Sequence, residues 1–194
     1  MALGYALLAA LQDEPATGYE LTQRFKTRLA NVWNASHQQV YRELNRLARE
    51  RCLQVKTINQ SDKPDKKQYS VTIAGTRALK AWLEQPQARP PIRDPLQVKL
   101  FAGKLVDTAL LADELDRWRQ DAVAQLGYYR VIEHTYFRRS VRMDPATRLQ
   151  YLALRRGMLA EEALLSWLEE AESTLEELSP DEGLDRTSVP NRGD

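Results

Sequence analysis

The sequence predicts a mainly α-helical protein, with an N-terminal winged helix-turn-helix and long antiparallel C-terminal helices that form a dimerisation domain. Three observations support this fold class. The first 85 residues follow the order helix, helix, helix, β-hairpin, helix; a proline-rich stretch comes next; and two long helical patterns of apolar residues fill the second half. We therefore expect a winged-helix domain at 1–85, a linker at 86–95, a helical dimerisation domain at 96–178 and a disordered tail at 179–194.

Charge is distributed unevenly along the chain. Residues 1–85 contain 13 Lys and Arg against 8 Asp and Glu, whereas residues 86–194 contain 15 against 19. This difference suggests that only the first part meets a polyanion. The single cysteine, Cys52, excludes an intrachain disulfide and a thiolate metal cluster. No stretch reaches the roughly 20 apolar residues of a membrane helix, so we expect a cytoplasmic protein without a membrane, metal or cofactor partner.

Capping residues predict where the first helices begin. The apolar run at 2–11 predicts a buried first helix. Thr17 and Glu20 have the spacing of a capping box and predict a second helix from Gly18 to about residue 28. Ser36 and Gln39 have the same spacing and predict the start of a third. We expect the core to take side chains from the second, third and fourth helices: Tyr19, Leu21, Phe25, Val40, Leu44, Leu47, Ile73, Leu79, Trp82 and Leu83.

The third predicted helix carries hydrogen-bonding and cationic side chains on the faces that its apolar stripe leaves free. Such groups reach base edges and phosphates from a helix in the major groove. Alone, a basic amphipathic helix is more often plain surface. The hairpin that follows, with strands expected at 52–58 and 67–72, adds a second cationic element at its lysine-bearing tip. The predicted main contacts to bases or phosphates are Gln38, Tyr41, Arg42 and Asn45, and the other predicted DNA-binding residues are Ser36, His37, Arg46, Lys63, Lys66 and Lys67.

Three segments of this first half resemble the PadR-like family of transcriptional regulators: GYALLAALQDEPATGYEL, VWNASHQQVYRELNRLARERCL and KQYSVTIAGTRALKAWL. The family has a Gly-Tyr-Glu-Leu motif before the recognition helix, a tyrosine within it and a Tyr-x-x-Thr-x-x-Gly pattern leading out of the wing. The matching residues are Gly18, Tyr19, Glu20 and Leu21, then Tyr41, then Tyr69, Thr72 and Gly75. Cys52 departs from the family, which usually has glycine there to end the recognition helix in a left-handed turn. The resemblance implies a regulator that binds double-stranded DNA.

The second half predicts two long helices, one opened by Asp107 and one by Asp144 and Pro145. The last helix, expected to end near Leu178, is apolar on two sides, and one helical hairpin cannot cover both. Because burial of a Leu or Trp is worth roughly 1.5–3 kcal/mol, a second copy of the chain is the economical cover. Packing of the winged-helix domain onto these helices is the alternative. The predicted dimer-interface residues are Leu152, Leu159, Ala163 and Trp167. This half resembles the C-terminal region of AphA-type virulence activators, which also implies dimerisation.

No pattern indicates catalysis, because the two histidines lie far apart in the chain and the glycines are scattered. Aromatic residues could line a pocket for a small aromatic ligand, as the resemblance implies, or could be core and interface residues. The candidate pocket residues are Trp33, Trp118 and Tyr129. The expected function is that of a repressor that binds a pseudo-palindromic operator as a homodimer. The alternative is a winged-helix protein-interaction module that does not bind DNA.

Overall fold

The computed structural model describes residues 2–27, 33, 35–59, 65–137 and 143–178. The chain forms two compact units, the first made of Met1–Pro91 with Tyr128–Met158 and the second of Ile92–Gly127 with Leu159–Asp194. The division of the chain around residues 85 and 95 stays a prediction. The predicted tail at 179–194 lies outside the described residues.

Within the described residues the chain forms seven α-helices, three β-strands and one short 3-10 turn. Their bounds are α1 Ala2–Ala10, β1 Ala16–Thr17, α2 Gly18–Lys26, α3 His37–Arg49, β2 Leu53–Ile58, β3 Lys66–Val71, α4 Ile73–Leu83, α5 Pro95–Phe101, the 3-10 turn Gly103–Leu105, α6 Thr108–Tyr136 and α7 Pro145–Leu178.

The sheet of the winged helix has the strand order β1-β3-β2, and both pairs are antiparallel. Tyr69, in the central strand, pairs with Ala16 on one side and Val55 on the other, and it is only 2% exposed. The two hairpin strands confirm the predicted hairpin, with bounds shifted by one residue. β1 was not predicted, because two residues are too few to show an alternating pattern.

The core of the winged helix lies between α1, α2, α3, α4 and the sheet. The predicted apolar stripe of α3 is confirmed, since all three of its members are buried. The buried side chains include Leu7, Leu8, Leu11, Leu21, Phe25, Val40, Leu44, Leu47, Leu53, Tyr69 and Leu79. The aromatic ring of Trp82 stacks on that of Tyr5, with ring centroids 4.7 Å apart.

Three residues expected in this core are exposed instead: Tyr19, Ile73 and Leu83 are 64%, 82% and 66% exposed. On α4 the line that faces the core runs through Gly75 and Leu79. Ile73, at the first position of the helix, points away from that line, and Leu83 is the last residue. Tyr19 lies off the buried line of α2 in the same way. Their apolar character therefore did not predict their burial.

The two long helices begin where their capping residues predict. An Asp107 carboxylate oxygen accepts a hydrogen bond from the Ala109 backbone N–H at 2.9 Å. An Asp144 carboxylate oxygen likewise accepts from the Ala146 N–H at 2.9 Å, and Pro145 occupies the first helical position. No helix among the described residues is long and apolar enough to cross a membrane.

The last helix, α7, has one buried apolar face and one exposed apolar face. Leu154 and Met158 are buried in the first unit, and Leu168 and Leu175 are buried in the second. The exposed side chains recur at helical spacing and form what we call the exposed stripe: Leu149, Leu152, Leu159, Ala163 and Trp167. The structure thus has apolar side chains on two faces of α7, as the sequence predicts, and only one of these faces is buried.

The recognition-helix candidate, α3, ends in a Schellman motif. Arg51 adopts a left-handed backbone with φ of 58°. Its N–H donates to the Ala48 carbonyl at 3.0 Å, and the N–H of Cys52 donates to the Leu47 carbonyl at 2.9 Å. The left-handed residue is therefore Arg51, one residue before Cys52.

Replacement of Arg51 by Gly is predicted to stabilise the protein, because a left-handed backbone costs a residue with a Cβ atom about 1 kcal/mol that glycine avoids. The measurement is the midpoint of urea unfolding, which should rise. Arg49→Gly, two residues earlier and inside the helix, is the control and should lower stability by about 1 kcal/mol. An Arg51→Gly midpoint below that of the wild type would contradict the assignment.

Candidate nucleic-acid interface

The start of α3 is capped as its sequence predicts. The Ser36 hydroxyl accepts a hydrogen bond from the Gln39 N–H at 3.3 Å, and the Gln39 side-chain carbonyl accepts from the Ser36 N–H at 2.9 Å. This reciprocal pair sets the first residue of the helix and hence the direction of every side chain along it.

Four polar side chains line the outer side of α3. Gln38, Arg42, Asn45 and Arg49 follow at intervals of four, three and four residues, so they lie on one line of the helix, and all are exposed. We call this line the reading face. It lies opposite the buried stripe of the same helix. Arg49 was expected on the outer faces of this helix from the sequence but was not among the predicted DNA contacts; its spacing of seven residues from Arg42 places it on the same line.

Tyr41 lies at the edge of the reading face and is half-buried. Its ring packs on the start of α2 so closely that a Cβ atom on Gly18 would lie 2.5 Å from its Cζ atom. On the other side, the His37 ring lies 4.4 Å from it between centroids. Burial raises the pKa of Tyr69 in the central strand of the sheet, and the charge interaction with Tyr41 adds to the effect. Tyr41 is therefore held by contacts within the protein.

Arg46 lies on a different side of α3 from the reading face. Its guanidinium forms ion pairs with Glu43 at 2.9 Å and with Glu50 at 2.7 Å, and the hydrogen bond to Glu43 raises its pKa. A Cβ atom on Gly4 would lie 2.5 Å from its Nη2 atom, so the guanidinium rests on α1. The structure thus places this predicted phosphate contact in a link between α1 and α3.

The hairpin β2–β3, which forms the wing, exposes lysines on both of its faces. Lys66 pairs with Ile58 and Lys67 with Thr57, and consecutive residues of a strand point to opposite faces. Lys56 pairs with Gln68, so it shares a face with Lys66 and is also exposed. Lys63, which was predicted to contact DNA, lies outside the described residues.

The wing and α3 meet at one junction. The Thr72 N–H donates to the Cys52 carbonyl at 3.1 Å, and the Thr72 hydroxyl lies 2.8 Å from the Arg51 carbonyl oxygen. The same hydroxyl accepts from the Gly75 N–H at 3.1 Å and so caps α4. A Cβ atom on Gly75 would lie 2.2 Å from the Cys52 carbonyl oxygen. Only glycine fits there, because that oxygen is backbone and cannot move aside.

The three candidate pocket aromatics have different surroundings. Trp33 precedes α3 and is 39% exposed. Tyr129 is buried in the first unit, and a Cβ atom on Gly157 would lie 3.0 Å from its ring. Trp118 packs on the hydrophobic cluster of the second unit and lines a cavity whose lining residues include neither of the other two. In the described part of the chain, no group of three or more His, Cys, Asp or Glu residues is arranged to hold a metal ion.

The second helix is held by a complete capping box. The Thr17 hydroxyl accepts from the Glu20 N–H at 3.2 Å, and a Glu20 carboxylate oxygen accepts from the Thr17 N–H at 2.7 Å. The hydrogen bond from the Thr17 backbone lowers the pKa of Glu20 below its ordinary value of 4.5. This box sets the start of α2, where Gly18 receives the ring of Tyr41.

A helix with exposed amide and guanidinium groups, beside a hairpin with exposed lysines, is the arrangement by which winged helix-turn-helix proteins engage DNA. Comparisons with known proteins agree. Residues 7–81 match the family model described as "Transcriptional regulator PadR-like family", and residues 92–176 match that described as "Virulence activator alpha C-term".

Three relatives cover nearly the whole chain. "Probable transcriptional regulator Rv1176c" of Mycobacterium tuberculosis is 35% identical over 91% of this chain and 99% of its own. The virulence activator AphA of Vibrio cholerae is 32% identical, over 91% of this chain and 99% of its own, with a TM-score of 0.76. "Negative transcriptional regulator PadR" of Bacillus subtilis is 29% identical over 86% of this chain and 93% of its own. Its structure with operator DNA gives 27% identity, 90% and 99% coverage, and a TM-score of 0.75.

The chain therefore belongs to the PadR-like family of transcriptional regulators, and it carries a C-terminal region of the AphA type. The family resemblance and the winged-helix fold class predicted from the sequence are both confirmed.

Replacement of Glu20 by Gln is predicted to weaken the acid dependence of stability. Because folding lowers the pKa of Glu20, its contribution is present above the unfolded pKa of about 4.5 and is lost as the pH falls through the folded value. Stability measured by urea unfolding at pH 7 and pH 4 should therefore fall less in the variant. Thr72→Ala is the control, since that cap has no returning carboxylate and its loss should be similar at both pH values. An unchanged pH dependence in Glu20→Gln would contradict the role of this carboxylate.

Proposed function

We propose that the protein is a repressor that binds a pseudo-palindromic operator as a homodimer, with α3 in the major groove and the wing on the phosphate backbone. The observation that carries this proposal is the reading face, an exposed line of amide and guanidinium groups on α3. The operator complex of PadR, a relative with the same fold, supports it. Because operator DNA lies on the chromosome, the proposal includes a cytoplasmic location.

The chemistry of the reading face suits direct recognition of bases. A guanidinium such as that of Arg42 or Arg49 pairs with both acceptors of a guanine edge, and an amide such as that of Gln38 or Asn45 pairs with adenine. At one end of the helix the exposed Ser36 and His37 are suited to phosphates. We therefore extend the predicted set by Arg49 and leave out Arg46, whose guanidinium is engaged by two carboxylates.

Tyr41 has a positioning role in this proposal. Its ring fills the space between α2 and α3, and its hydroxyl end lies over Gly18. Held in this way, the Tyr41 ring can set the angle between α3 and α2, and the exposed edge of the ring can contact a phosphate of DNA. We therefore assign Tyr41 to a phosphate contact and assign base recognition to the reading face.

The lysines of the wing contribute charge on both faces of the hairpin. Lys66 and Lys56 lie on one face and Lys67 on the other, so a wing laid along the backbone brings one set or the other to phosphates. Lys63 belongs to the proposed set by its place in the sequence. Phosphate contacts of this kind add affinity for any sequence and make binding depend on salt.

The exposed stripe of α7 is the surface that we propose for the homodimer. Leu152 and Leu159 are 64% and 53% exposed, and Trp167 is 36% exposed. Two-fold symmetry would place this stripe against its own copy and would relate the two α3 helices by the same axis. Major grooves on one side of DNA recur about every 34 Å, so the proposed operator has two half-sites one helical turn, or a multiple of it, apart.

Repression needs only that the protein occupy DNA that a polymerase also needs, whereas activation needs an additional contact. The relative PadR is a negative regulator, and AphA is an activator. We propose repression, together with a small aromatic ligand that releases the operator and whose site includes Trp118. A reporter behind the promoter upstream of the gene should be more active when the gene is deleted; a less active reporter would assign activation.

The operator contacts are tested by fluorescence anisotropy with the DNA upstream of the gene, with a scrambled duplex as competitor. Arg42→Ala and Asn45→Ala are predicted to weaken operator binding by roughly tenfold to a hundredfold, which corresponds to the removal of one bidentate pairing with a base. Binding to the scrambled duplex should change less. Replacement of Lys56, Lys66 and Lys67 by Ala should weaken both duplexes alike and reduce the slope of log affinity against log salt by about 0.9 for each phosphate that is no longer neutralised.

Arg117→Ala, an exposed arginine on α6, is the matched control and should bind as the wild type does. If Arg42→Ala binds the operator normally, the reading face is assigned wrongly. If no duplex is bound above the level of the scrambled competitor, the protein is a winged-helix interaction module instead.

The dimer is tested by light scattering during gel filtration. Leu159→Glu is predicted to convert the dimer to monomers, because it places two buried charges at the centre of a symmetric interface. It should also weaken operator binding, since a monomer reaches one half-site only. Ile92→Glu is the control, an exposed apolar residue that lies outside the stripe and that should leave the dimer intact. A Leu159→Glu dimer would refute the proposed interface.

A further inference from the structure

The second unit contains a cleft between α6 and α7 that the proposed DNA contacts do not use. It has a volume of about 330 Å³ and is lined by Trp118, Asp121, Ala122, Gln125, Glu161 and Leu164. Ligand pockets have volumes of roughly 300–1,000 Å³, so the cleft is of a size for one small molecule. The small side chain of Ala122, on the buried line of α6, leaves this space open.

Glu161 is unusual for its position on α7. Leu164 and Leu168 follow it at intervals of three and four residues, which places Glu161 on the side of the helix that packs on α6. Burial raises the pKa of its carboxyl group. Glu161 is half-buried, and a carboxylate that is partly removed from water without a cation costs free energy. A cation in the cleft would compensate this carboxylate.

Trp118 forms an aromatic wall of the same cleft, and its ring is anchored. The Lys99 ammonium donates a hydrogen bond to Glu114 at 2.9 Å and lowers the pKa of that carboxyl group, and the indole of Trp118 adds to the shift. The anchored ring packs on the cluster formed by Leu111, Leu115 and Leu168. The ring offers the cleft its apolar and π-electron surface.

The lining therefore combines an aromatic wall with two carboxylates, Glu161 inside and Asp121 at the exposed mouth, and none of the lining residues is cationic. A positive charge is attracted both to the carboxylates and to the face of an indole. We propose that this cleft binds a small planar aromatic molecule that carries a positively charged nitrogen. Aromatic acids are disfavoured, because their carboxylate would be placed beside those of the cleft.

This inference rests on the effector suggested under the proposed function and names its chemical class. The two are separable, because ligand binding can be measured without DNA. A pair of probes with the same ring and a similar chain isolates the charge: tyramine, which is a cation at pH 7, and 3-(4-hydroxyphenyl)propionate, which is an anion. Titration calorimetry with the full chain is predicted to show one tyramine bound per chain and the anion bound at least tenfold more weakly.

Variants of the two carboxylates identify the site. Glu161→Gln and Asp121→Asn should each weaken tyramine binding, by about tenfold for the inner residue, and Glu169→Gln, an exposed acid on the same helix, should leave it unchanged. Thermal unfolding checks that the variants are folded, and Asp121→Asn, at the exposed mouth, keeps the test valid if Glu161→Gln changes the packing of the helices.

Equal binding of the two probes, absence of tyramine binding at millimolar concentration, or normal tyramine binding by both carboxylate variants would overturn the proposal. Operator binding is measured on the same samples without ligand. A protein that binds tyramine but no operator would refute the proposed function and leave the cleft standing, and a protein that binds operator but not tyramine would do the reverse.

Discussion

The close approach of Gly75 to the Cys52 carbonyl is the constraint on which the arrangement of the winged helix depends. At this one point α3 has just ended, β2 begins, β3 has just ended and α4 begins, and Thr72 bonds to backbone groups on both sides. A larger residue than glycine would push the start of α4 off the end of α3. Because the wing leaves and returns at this junction, the junction determines the angle between the wing and the reading face. The geometry of the proposed DNA contacts is thus set by backbone contacts at a site that does not itself touch DNA.

The residues that match the family motifs make contacts within the winged helix. Gly18 makes room for the ring of Tyr41, and Tyr69 is buried at the centre of the sheet. Thr72 and Gly75 hold the junction with Cys52. These residues hold α3 by contacts inside the domain, whereas the side chains of Gln38, Arg42, Asn45 and Arg49 are exposed on its outer side. In the proposed complex the first group positions the helix and the second meets the DNA.

The sequence predicted the features that depend on neighbours in the chain and missed those that depend on distant ones. The capping boxes at Thr17 and Ser36 are local, and both helices begin where they indicate. Tyr19, Ile73 and Leu83 are apolar, but the direction of their side chains depends on which line of each helix meets the core. The DNA contact of Arg46 stays a prediction from its charge, and the position of its guanidinium against α1 depends on the fold. The strand β1 exists because Ala16 reaches Tyr69, a pairing across more than fifty residues that no periodicity reveals.

Helix α7 combines two features that are each unfavourable in an isolated chain. It exposes Leu152, Leu159 and Trp167 to water, and it turns the Glu161 carboxylate toward α6. Exposed apolar side chains favour a partner that buries them, and a partly desolvated carboxylate favours a cation. The two features lie on one helix, so a ligand in the cleft at Glu161 contacts the helix that carries the stripe. A ligand that changes how α7 packs on α6 would change the surface offered to a second copy, on which binding to two half-sites depends in the proposed complex. A ligand could then control DNA binding without contacting DNA, because α7 would meet the ligand on one face and the second copy of the chain on another.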